Sequence, residues 1–405
     1  MGASTASSEG PPRRSVLWIS NGHGEDRIAR VLIDQQPWQD WRHLAFPLVG
    51  EGHAYGEVSA PVVAPVLAMP SGGFILRQPG AFAGDVRHGL LGLLVRQLRL
   101  LRPVAAGVDL VMAVGDLLPL ACAAFTGRPH AFVGCAKSDH YRDPGGEDYL
   151  GIERWFMARP ACLAVYPRDG LTASSLVRRG IRAHDLGNPM MDDLPVSGLD
   201  WPHAQSGPVL GLLPGSRSDA RMNLAPLLKA ARAFLERQSD APAWSVAVAV
   251  APQIDPADLV PVAEAAGWVL QSDGGLRAPA GQRLDWLVGR FGDWIRRVRV
   301  VFGMAGTATE QCAGMGVPVV TFPGEGAQFH PDFARAQARL LGEAVQLVET
   351  PEQAAGRAVA LLEDQELRAR MRAVGLSRMG TAGAAARIAA HAAQLAGTGG
   401  RGTSI

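Results

Sequence analysis

Residues Val301–Pro331 read VFGMAGTATEQCAGMGVPVVTFPGEGAQFHP, and this stretch decides the fold. The apolar run Val298, Val300, Val301, Phe302 breaks into Gly303, Met304, Ala305, Gly306, Thr307, Ala308 and Thr309. Glu310 then opens a segment of helical character that stops at Gly314–Gly316, and a second apolar run, Val317 to Phe322, follows. Strand, small-residue loop, helix and strand in that order make one unit of a parallel α/β sheet. The loop amides and the helix N-terminus of such a unit face one way and attract an anion. Gly306, Thr307, Ala308 and Thr309 let a ligand approach the backbone, and the threonines can donate to phosphate oxygens. Glu310 can accept from vicinal hydroxyls. The plainer alternative is that the threonines cap the helix and Glu310 complements its dipole.

Upstream, Val209–Asn223 reads VLGLLPGSRSDARMN, a short apolar strand running into Pro214, Gly215, Ser216 and Arg217. Gly215 supplies a turn, Ser216 a hydroxyl, and Arg217 a fixed cationic fork suited to diphosphate oxygens. Otherwise Arg217 is a surface arginine beside a turn. Two such loops in one half of the chain point to a nucleotide site.

Strands alternate with helices over most of the remaining chain. Ser15–Ser20 is a strand ending in Asn21, Gly22, His23, Gly24, Glu25, Asp26, with a helix over Arg27–Asp34. Strands are expected at Leu44–Val49, Asp109–Val114, His130–Val133, Leu163–Pro167 and Ala183–Leu186, and a helix at Leu117–Phe125. In the second half, helices are expected at Leu224–Glu236 and Asp255–Ala266, with a strand at Trp244–Val250; helical sequence dominates after Pro351. The chain has 405 residues, long for one core, so two domains are expected. We place a disordered start at 1–14, an N-terminal domain at 15–191, a Pro/Gly/Asp-rich linker at 192–208, a C-terminal domain at 209–397 and a disordered tail at 398–405.

A net charge of +1 gives no global field toward nucleic acid. Cys122, Cys135, Cys162 and Cys312 form no CxxC or Cys/His pattern and read as buried thiols in a reducing compartment. No secretion signal or bilayer-spanning run is evident, so a cytoplasmic protein is expected.

Taken in order, SNGHGED (Ser20–Asp26), GNPMMDDL (Gly187–Leu194), LLPGSR (Leu212–Arg217) and MAGTATE (Met304–Glu310) resemble the lipid-A-disaccharide synthase family over nearly the whole chain. That resemblance implies α/β architecture with two Rossmann-like domains facing a cleft, the GT-B glycosyltransferase type. It also implies an inverting, metal-independent transfer from a UDP-sugar to a lipid-linked sugar acceptor, with no cofactor. The chain reads as a divergent member, since Gly187, Asn188, Pro189 stand where the family has Gly-His-Pro, and Ala220 replaces its glutamate. Pro323–Ala338 is more similar to the sugar-nucleotide loop of the peptidoglycan-precursor transferase and of UDP-N-acetylglucosamine 2-epimerase, which brings Gln328 to the donor sugar.

An inverting transfer needs a general base for the acceptor hydroxyl and charge stabilisation for the departing diphosphate. Asp116, just past the strand Asp109–Val114, is the first candidate base and matches the family's strand-end aspartate; it would equally suit a helix cap. His23 is the rival, because histidine titrates near neutrality and this one follows the first strand in a Gly-rich turn. Gly22, Glu25 and Asp26 are candidates for acceptor binding, although the two acids can simply complement the helix dipole. Asn188 is a further acceptor-side candidate, or it orders the turn between domains. Residues 87–103, RHGLLGLLVRQLRLLRP, hold arginines among leucines and no acid. They form either a core helix showing its arginines to solvent or a rim resting peripherally on anionic headgroups at the inner face of the membrane. Two rival functions stay open: a UDP-sugar 2-epimerase of the same fold, and a non-catalytic protein that binds sugar nucleotides or docks on membranes.

Overall fold

The computed structural model describes residues 14–66, 90–201, 207–216, 219–238, 244–273, 275–279, 281–326 and 329–398. The expected disordered start and tail therefore lie almost wholly outside the described residues, as do part of the expected linker and residues 87–89. The chain divides into two compact units. One comprises Met1–Asp139, Gly145–Asp193 and Ala382–Ile405; the other comprises His140–Pro144 and Leu194–Thr381.

The first unit is built on five strands: β1 (Ser15–Ser20), β2 (Arg42–Pro47), β3 (Leu110–Val114), β4 (His130–Gly134) and β5 (Cys162–Pro167). They pair in the order β2-β1-β3-β4-β5, all parallel. Helices α1 (His23–Ile33), α2 (Leu90–Ala105), α3 (Leu117–Phe125), α4 (Gly151–Met157) and α5 (Gly170–Arg178) lie in the connections. Every residue of β1, β3 and β4 is buried, as a sheet covered on both faces requires. On one face Trp18 meets Trp38 edge to face at 5.8 Å and donates through Nε1 to His43 Nδ1 at 3.1 Å. His43 Nε2 lies 3.1 Å from the Trp38 carbonyl. Accepting at Nδ1 puts the ring proton on Nε2, and burial lowers the pKa of this imidazole, so the neutral tautomer is locked in place.

Two expectations change here. Ala183–Leu186 is not a strand; it contributes a single parallel bridge, Val165 to Ala183. The last helix, Ala384–Thr398, belongs to the first unit's core and not to the C-terminal domain. Ala385, Ile388, Ala389 and Ala392 pack in one cluster with Val16 and Trp18. Asp192 fastens the helix start, accepting from the Gly383 and Ala385 amides, and His391 Nδ1 meets the Tyr166 hydroxyl at 2.8 Å. An alanine-rich helix is only weakly marked in sequence for any partner; the small face it offers the sheet decides.

The second unit has eight strands: β6 (Val209–Leu213), β7 (Ser245–Val250), β8 (Val269–Leu270), β9 (Leu276–Arg277), β10 (Arg283–Val288), β11 (Val298–Gly303), β12 (Val319–Thr321) and β13 (Val345–Leu347). Their order is β13-β12-β11-β6-β7-β10-β9-β8, parallel except where β9 pairs with β10 and with β8. Helices α6 (Ala220–Arg237), α7 (Val260–Ala265), α8 (Phe291–Trp294), α9 (Thr307–Gly314), α10 (Pro331–Leu341), α11 (Pro351–Glu363) and α12 (Gln365–Met379) complete it, with the last helix of the chain becoming α13 (Ala384–Thr398). Phe234 joins Trp244 and Phe302 edge to face at 4.9 and 6.2 Å to close the core over the sheet. Gly211 is required in β6 because Trp294 occupies the space of a side chain, 2.4 Å from where its Cβ would lie. Strands β8, β9, β10 and β13 went unread in the sequence; β8 and β9 are two residues each, too short for a period to register.

At the junction of β1 and α1 a carboxyl is sealed into the first unit. Asp26 is 1 % exposed; Ser20 Oγ lies 2.5 Å from its Oδ1 and 2.6 Å from the Tyr55 hydroxyl. Burial raises its pKa to about 7, partly offset by the Ser20 hydrogen bond and by His53. An unfolded aspartate titrates near about 3.9. Between these values the folded chain holds the extra proton, so this group's stabilisation is complete below about pH 4 and is lost as pH rises through about 7. Asp26→Asn cannot ionise and should therefore gain stability over the wild type as pH rises, by a few kcal/mol across the window. Urea unfolding of both proteins at pH 5 and pH 8 checks this, and an identical stability difference at the two values would refute it.

Candidate functional site

Each unit gathers loops at the carboxyl edge of its parallel sheet, the edge where open α/β sheets place ligands. In the second unit three loops meet there. The first follows β6 through Pro214, Gly215 (φ 105°) and Ser216. The second follows β11 through Met304, Ala305 and Gly306 into α9. The third is Pro323–Gly326 after β12. Asn223, 1 % exposed on α6, ties the first two by donating from Nδ2 to the Pro214 carbonyl at 3.0 Å and the Met304 carbonyl at 3.5 Å. Gly324 packs where a side chain would strike Met304 Cε at 2.4 Å and Asn223 Oδ1 at 3.0 Å, which brings in the third. Gln337 on α10 donates from Nε2 to the Ala305 and Gly306 carbonyls, 3.1 Å each. Carbonyls are thus consumed behind the loop.

The N-terminus of α9 has Gly306 at its cap with no side-chain hydrogen bond to the first-turn amides. Thr309 does not cap it, since its hydroxyl is buried without a hydrogen-bond partner. Thr307 is exposed and Gly306 and Ala308 are half-buried at this end. Thr309 is fully buried, with its hydroxyl 2.9 Å from where a Cβ on Gly303 would lie. Glu310 is 7 % exposed within the helix. The helix starts three residues before the expected Glu310, so Thr309 and Glu310 face the fold while backbone amides face the edge. Gly215 and Ser216 sit where expected, Ser216 exposed with its carbonyl accepting from Gln253 at 2.6 Å. Arg217 and Gln328 lie outside the described residues.

In the first unit, Gly22 (φ 111°) carries β1 into α1, which begins at His23. His23 is exposed, with its imidazole 3.8 Å from where a Cβ on Gly50 would lie. Gly115 (φ 131°) carries β3 into Asp116, whose Oδ1 accepts from the Leu118 amide at 3.1 Å and caps α3. The same oxygen accepts from Asn21 Nδ2 at 3.2 Å, so Asp116 does more than cap. Glu25 Cγ is 3.0 Å from where a Cβ on Gly115 would lie, placing a second acid beside Asp116. Asp26 is enclosed as described above. Asn188 is fully buried and caps the turn Pro189–Asp192 through the Met190 amide at 3.1 Å. Each of the two side chains has one oxygen hydrogen-bonded internally.

Three further polar side chains of this unit, not expected from the sequence, stand just past strand ends. Arg168, 3 % exposed directly after β5, donates to the Cys135 carbonyl at 3.4 Å. Lys137, past β4, pairs with the buried Glu153 at 2.6 Å. Asn21 is 5 % exposed. Their positions one to three residues past a strand end are the signal that was available. Cys135 and the other three cysteines are buried and unpaired with one another, and burial raises their thiol pKa values, which makes them inert.

The helix α2 buries Leu93, Gln97, Leu101 and Ala105, a stripe at four-residue spacing. Outside that stripe Val95, Leu98 and Leu100 are 48, 40 and 44 % exposed, with Arg96, Arg99 and Arg102 among them. Among the described residues no helix is long and apolar enough to cross a membrane.

Solved structures of low sequence identity share the whole architecture. CalG4, the calicheamicin glycosyltransferase, matches with a TM-score of 0.62 at 17% identity, over 95% of this chain and 98% of that one. UDP-GlcNAc 2-epimerase from Neisseria meningitidis, solved bound to UDP-GlcNAc, matches with 0.54 at 12% identity over 93% and 99%. MurG of Acinetobacter baumannii matches with 0.52 at 14% identity over 94% and 99%. No family model and no curated protein sequence matches the chain. The chain has the two-lobed GT-B fold of two Rossmann-like domains.

Replacing Asn223 by Ala strands the buried Pro214 carbonyl and frees two loops at once. A loss of roughly 1–3 kcal/mol in urea unfolding is expected. An unchanged midpoint would mean that the Asn223 bridge does not hold the loops.

Proposed function

We propose that the protein is a glycosyltransferase that takes a sugar from a UDP-sugar and delivers it, with inversion, to a lipid-linked acceptor. The observation that carries this reading is the glycine-capped start of α9 at the sheet edge, with the neighbouring carbonyls bonded behind it. A helix N-terminus of this kind suits a diphosphate. The GT-B fold, and the UDP-GlcNAc held by the Neisseria epimerase, support a UDP-sugar donor. Gly215, Ser216, Gly306, Thr307, Ala308 and Thr309 would contact the donor mainly through backbone, with Arg217 and Gln328 added on sequence grounds. Glu310, being nearly enclosed, would reach ribose hydroxyls only at the rim of α9.

In the reaction the acceptor hydroxyl oxygen forms a bond to the anomeric carbon as the bond from that carbon to the diphosphate breaks, and UDP leaves with the electron pair. The acceptor's proton passes to Asp116 or to His23. Asp116 is favoured by the hydrogen bonds from Asn21 and the Leu118 amide, which orient its carboxyl. Backbone amides at α9 take up the charge that develops on the leaving phosphate. Glu25, beside Gly115, is placed to bind acceptor hydroxyls.

The lipid-linked acceptor rests on the resemblance to lipid-A-disaccharide synthases together with α2. Its exposed leucine and valine side chains interleaved with arginines suit an anionic membrane surface. A UDP-sugar 2-epimerase is the second reading, favoured by the epimerases among the structures of this fold and by the Pro323–Ala338 loop. A silent sugar-nucleotide-binding protein is the third.

UDP release from UDP-glucose, UDP-galactose and UDP-N-acetylglucosamine, with and without a total lipid extract, separates these readings. Lipid-dependent release is expected, and Asp116→Ala should lower it by roughly 10²–10⁴-fold while UDP binding is retained. Release that ignores lipid, or an epimerised donor without release, would count against the transferase. For the membrane, Arg96→Glu with Arg99→Glu should abolish sedimentation with phosphatidylglycerol vesicles; equal sedimentation of variant and wild type would remove α2 from the account.

A further inference from the structure

The loop after β1 carries a buried amide that the proposed chemistry has not yet used. Parallel pairing sets Ser20 opposite Val114, so the residue after each strand, Asn21 and Gly115, leave the sheet side by side. Asn21 is 5 % exposed and spends its Nδ2 on Asp116 Oδ1 at 3.2 Å. Its own Oδ1 is buried with no hydrogen-bond partner. The opposite amide orientation would set carbonyl oxygen against carboxylate oxygen. The amide nitrogen therefore faces the carboxylate.

We infer that Asn21 is a positioning residue for the transfer: its amide, with the Leu118 amide, orients the Asp116 carboxylate toward the acceptor hydroxyl and stabilises the ionised form that takes the proton. This rests on the reading of Asp116 as the base. The Leu118 amide holds Oδ1 from the start of α3, and the Asn21 amide holds it from the end of β1. Two donors from different elements stop the carboxyl plane from turning about its bond to the side chain. The charged and titratable groups near this pair include Glu25 on α1, which lies against Gly115, and Cys135 after β4, whose thiol senses Glu25, Arg168 and Asp116. Sequence alone could not reveal the pairing, because Asn21 and Asp116 are joined only by the strand register.

The test uses the full chain and the UDP-release assay with lipid extract, over a range of pH, on the wild type, Asp116→Ala, Asn21→Asp, Asn21→Ala and Asn21→Ser. Asn21→Ala should lower kcat about tenfold, the loss of one hydrogen bond to a charged group, with the donor KM unchanged. Asn21→Ser, which keeps a donor, should recover part of that loss. Asn21→Asp puts a like charge beside the base, so the acid limb of its kcat profile should move to higher pH. Reduced kcat with an unmoved acid limb in Asn21→Asp, or a donor KM that rises in step with the loss in Asn21→Ala, would reduce Asn21 to a structural loop residue and overturn the inference. Full activity of Asp116→Ala, or no release by the wild type, would instead remove the base assignment and the inference with it. An inactive Asp116→Ala beside fully active Asn21 variants would leave the base standing and reject only its positioning by Asn21. If Asn21→Asp fails to fold, as judged by circular dichroism, the Ala and Ser pair decides on kcat against KM.

Discussion

In a parallel sheet every strand delivers its carboxyl end to the same edge, and the hydrogen-bonding register decides which of the following loops lie side by side. Ser20 opposite Val114 brings Asn21 to Asp116 in the first unit. Gly303 opposite Leu213 brings Met304 to the Pro214–Gly215 turn in the second. The Met304 amide completes this by donating to the Leu213 carbonyl at 2.8 Å. Residues ninety-odd positions apart become neighbours through a ladder of main-chain bonds, with roughly the same geometry in both units.

Such edges are costly to build, because loops that approach one another carry polar groups out of water. The second unit meets the cost with side-chain amides: Asn223 and Gln337 answer carbonyls of Pro214, Met304, Ala305 and Gly306 from buried positions on α6 and α10. The α9 amides then remain as the polar groups presented at the edge. Glycine takes the positions where backbone must pass close or turn left-handed, as at Gly215 and Gly324. The balance is incomplete in both units. Asn21 Oδ1 and Asp26 Oδ2 in the first, and Asn223 Oδ1, Thr309 Oγ1 and Gln337 Oε1 in the second, are buried without hydrogen-bond partners.

Much of the fold was legible in the chain. The α/β alternation, the loop-to-helix unit after Val298 and the helix Leu117–Phe125 follow from apolar runs punctuated by glycine, and the structure has them. Gly215, Ser216, Gly306, Thr307 and Asp116 stand at the sheet edges where strand-end positions suggested. Asp26, expected as an acceptor contact or a helix-dipole acid, and Asn188, expected on the acceptor side or as the brace of a turn, are both enclosed, each with one oxygen hydrogen-bonded internally. Thr309 and Glu310 are expected as first-turn ligands; because α9 begins at Thr307, both side chains are buried, which leaves Thr309 its backbone and Glu310 the rim. A helix start displaced by three residues changes which side chains face out.

What the sequence determined by itself was local: period, turn chemistry and the small residues that admit a backbone-bound anion. These depend on neighbours within a few positions, so a single chain displays them. Tertiary structure decided the rest. It assigned α13 to the first unit, because Ala385, Ile388, Ala389 and Ala392 fit against Trp18 and Val16. It chose Asn223 and Gln337 as braces and Asn21 as the partner of Asp116, since strand register and helix packing, not spacing along the chain, set the distance between those atoms.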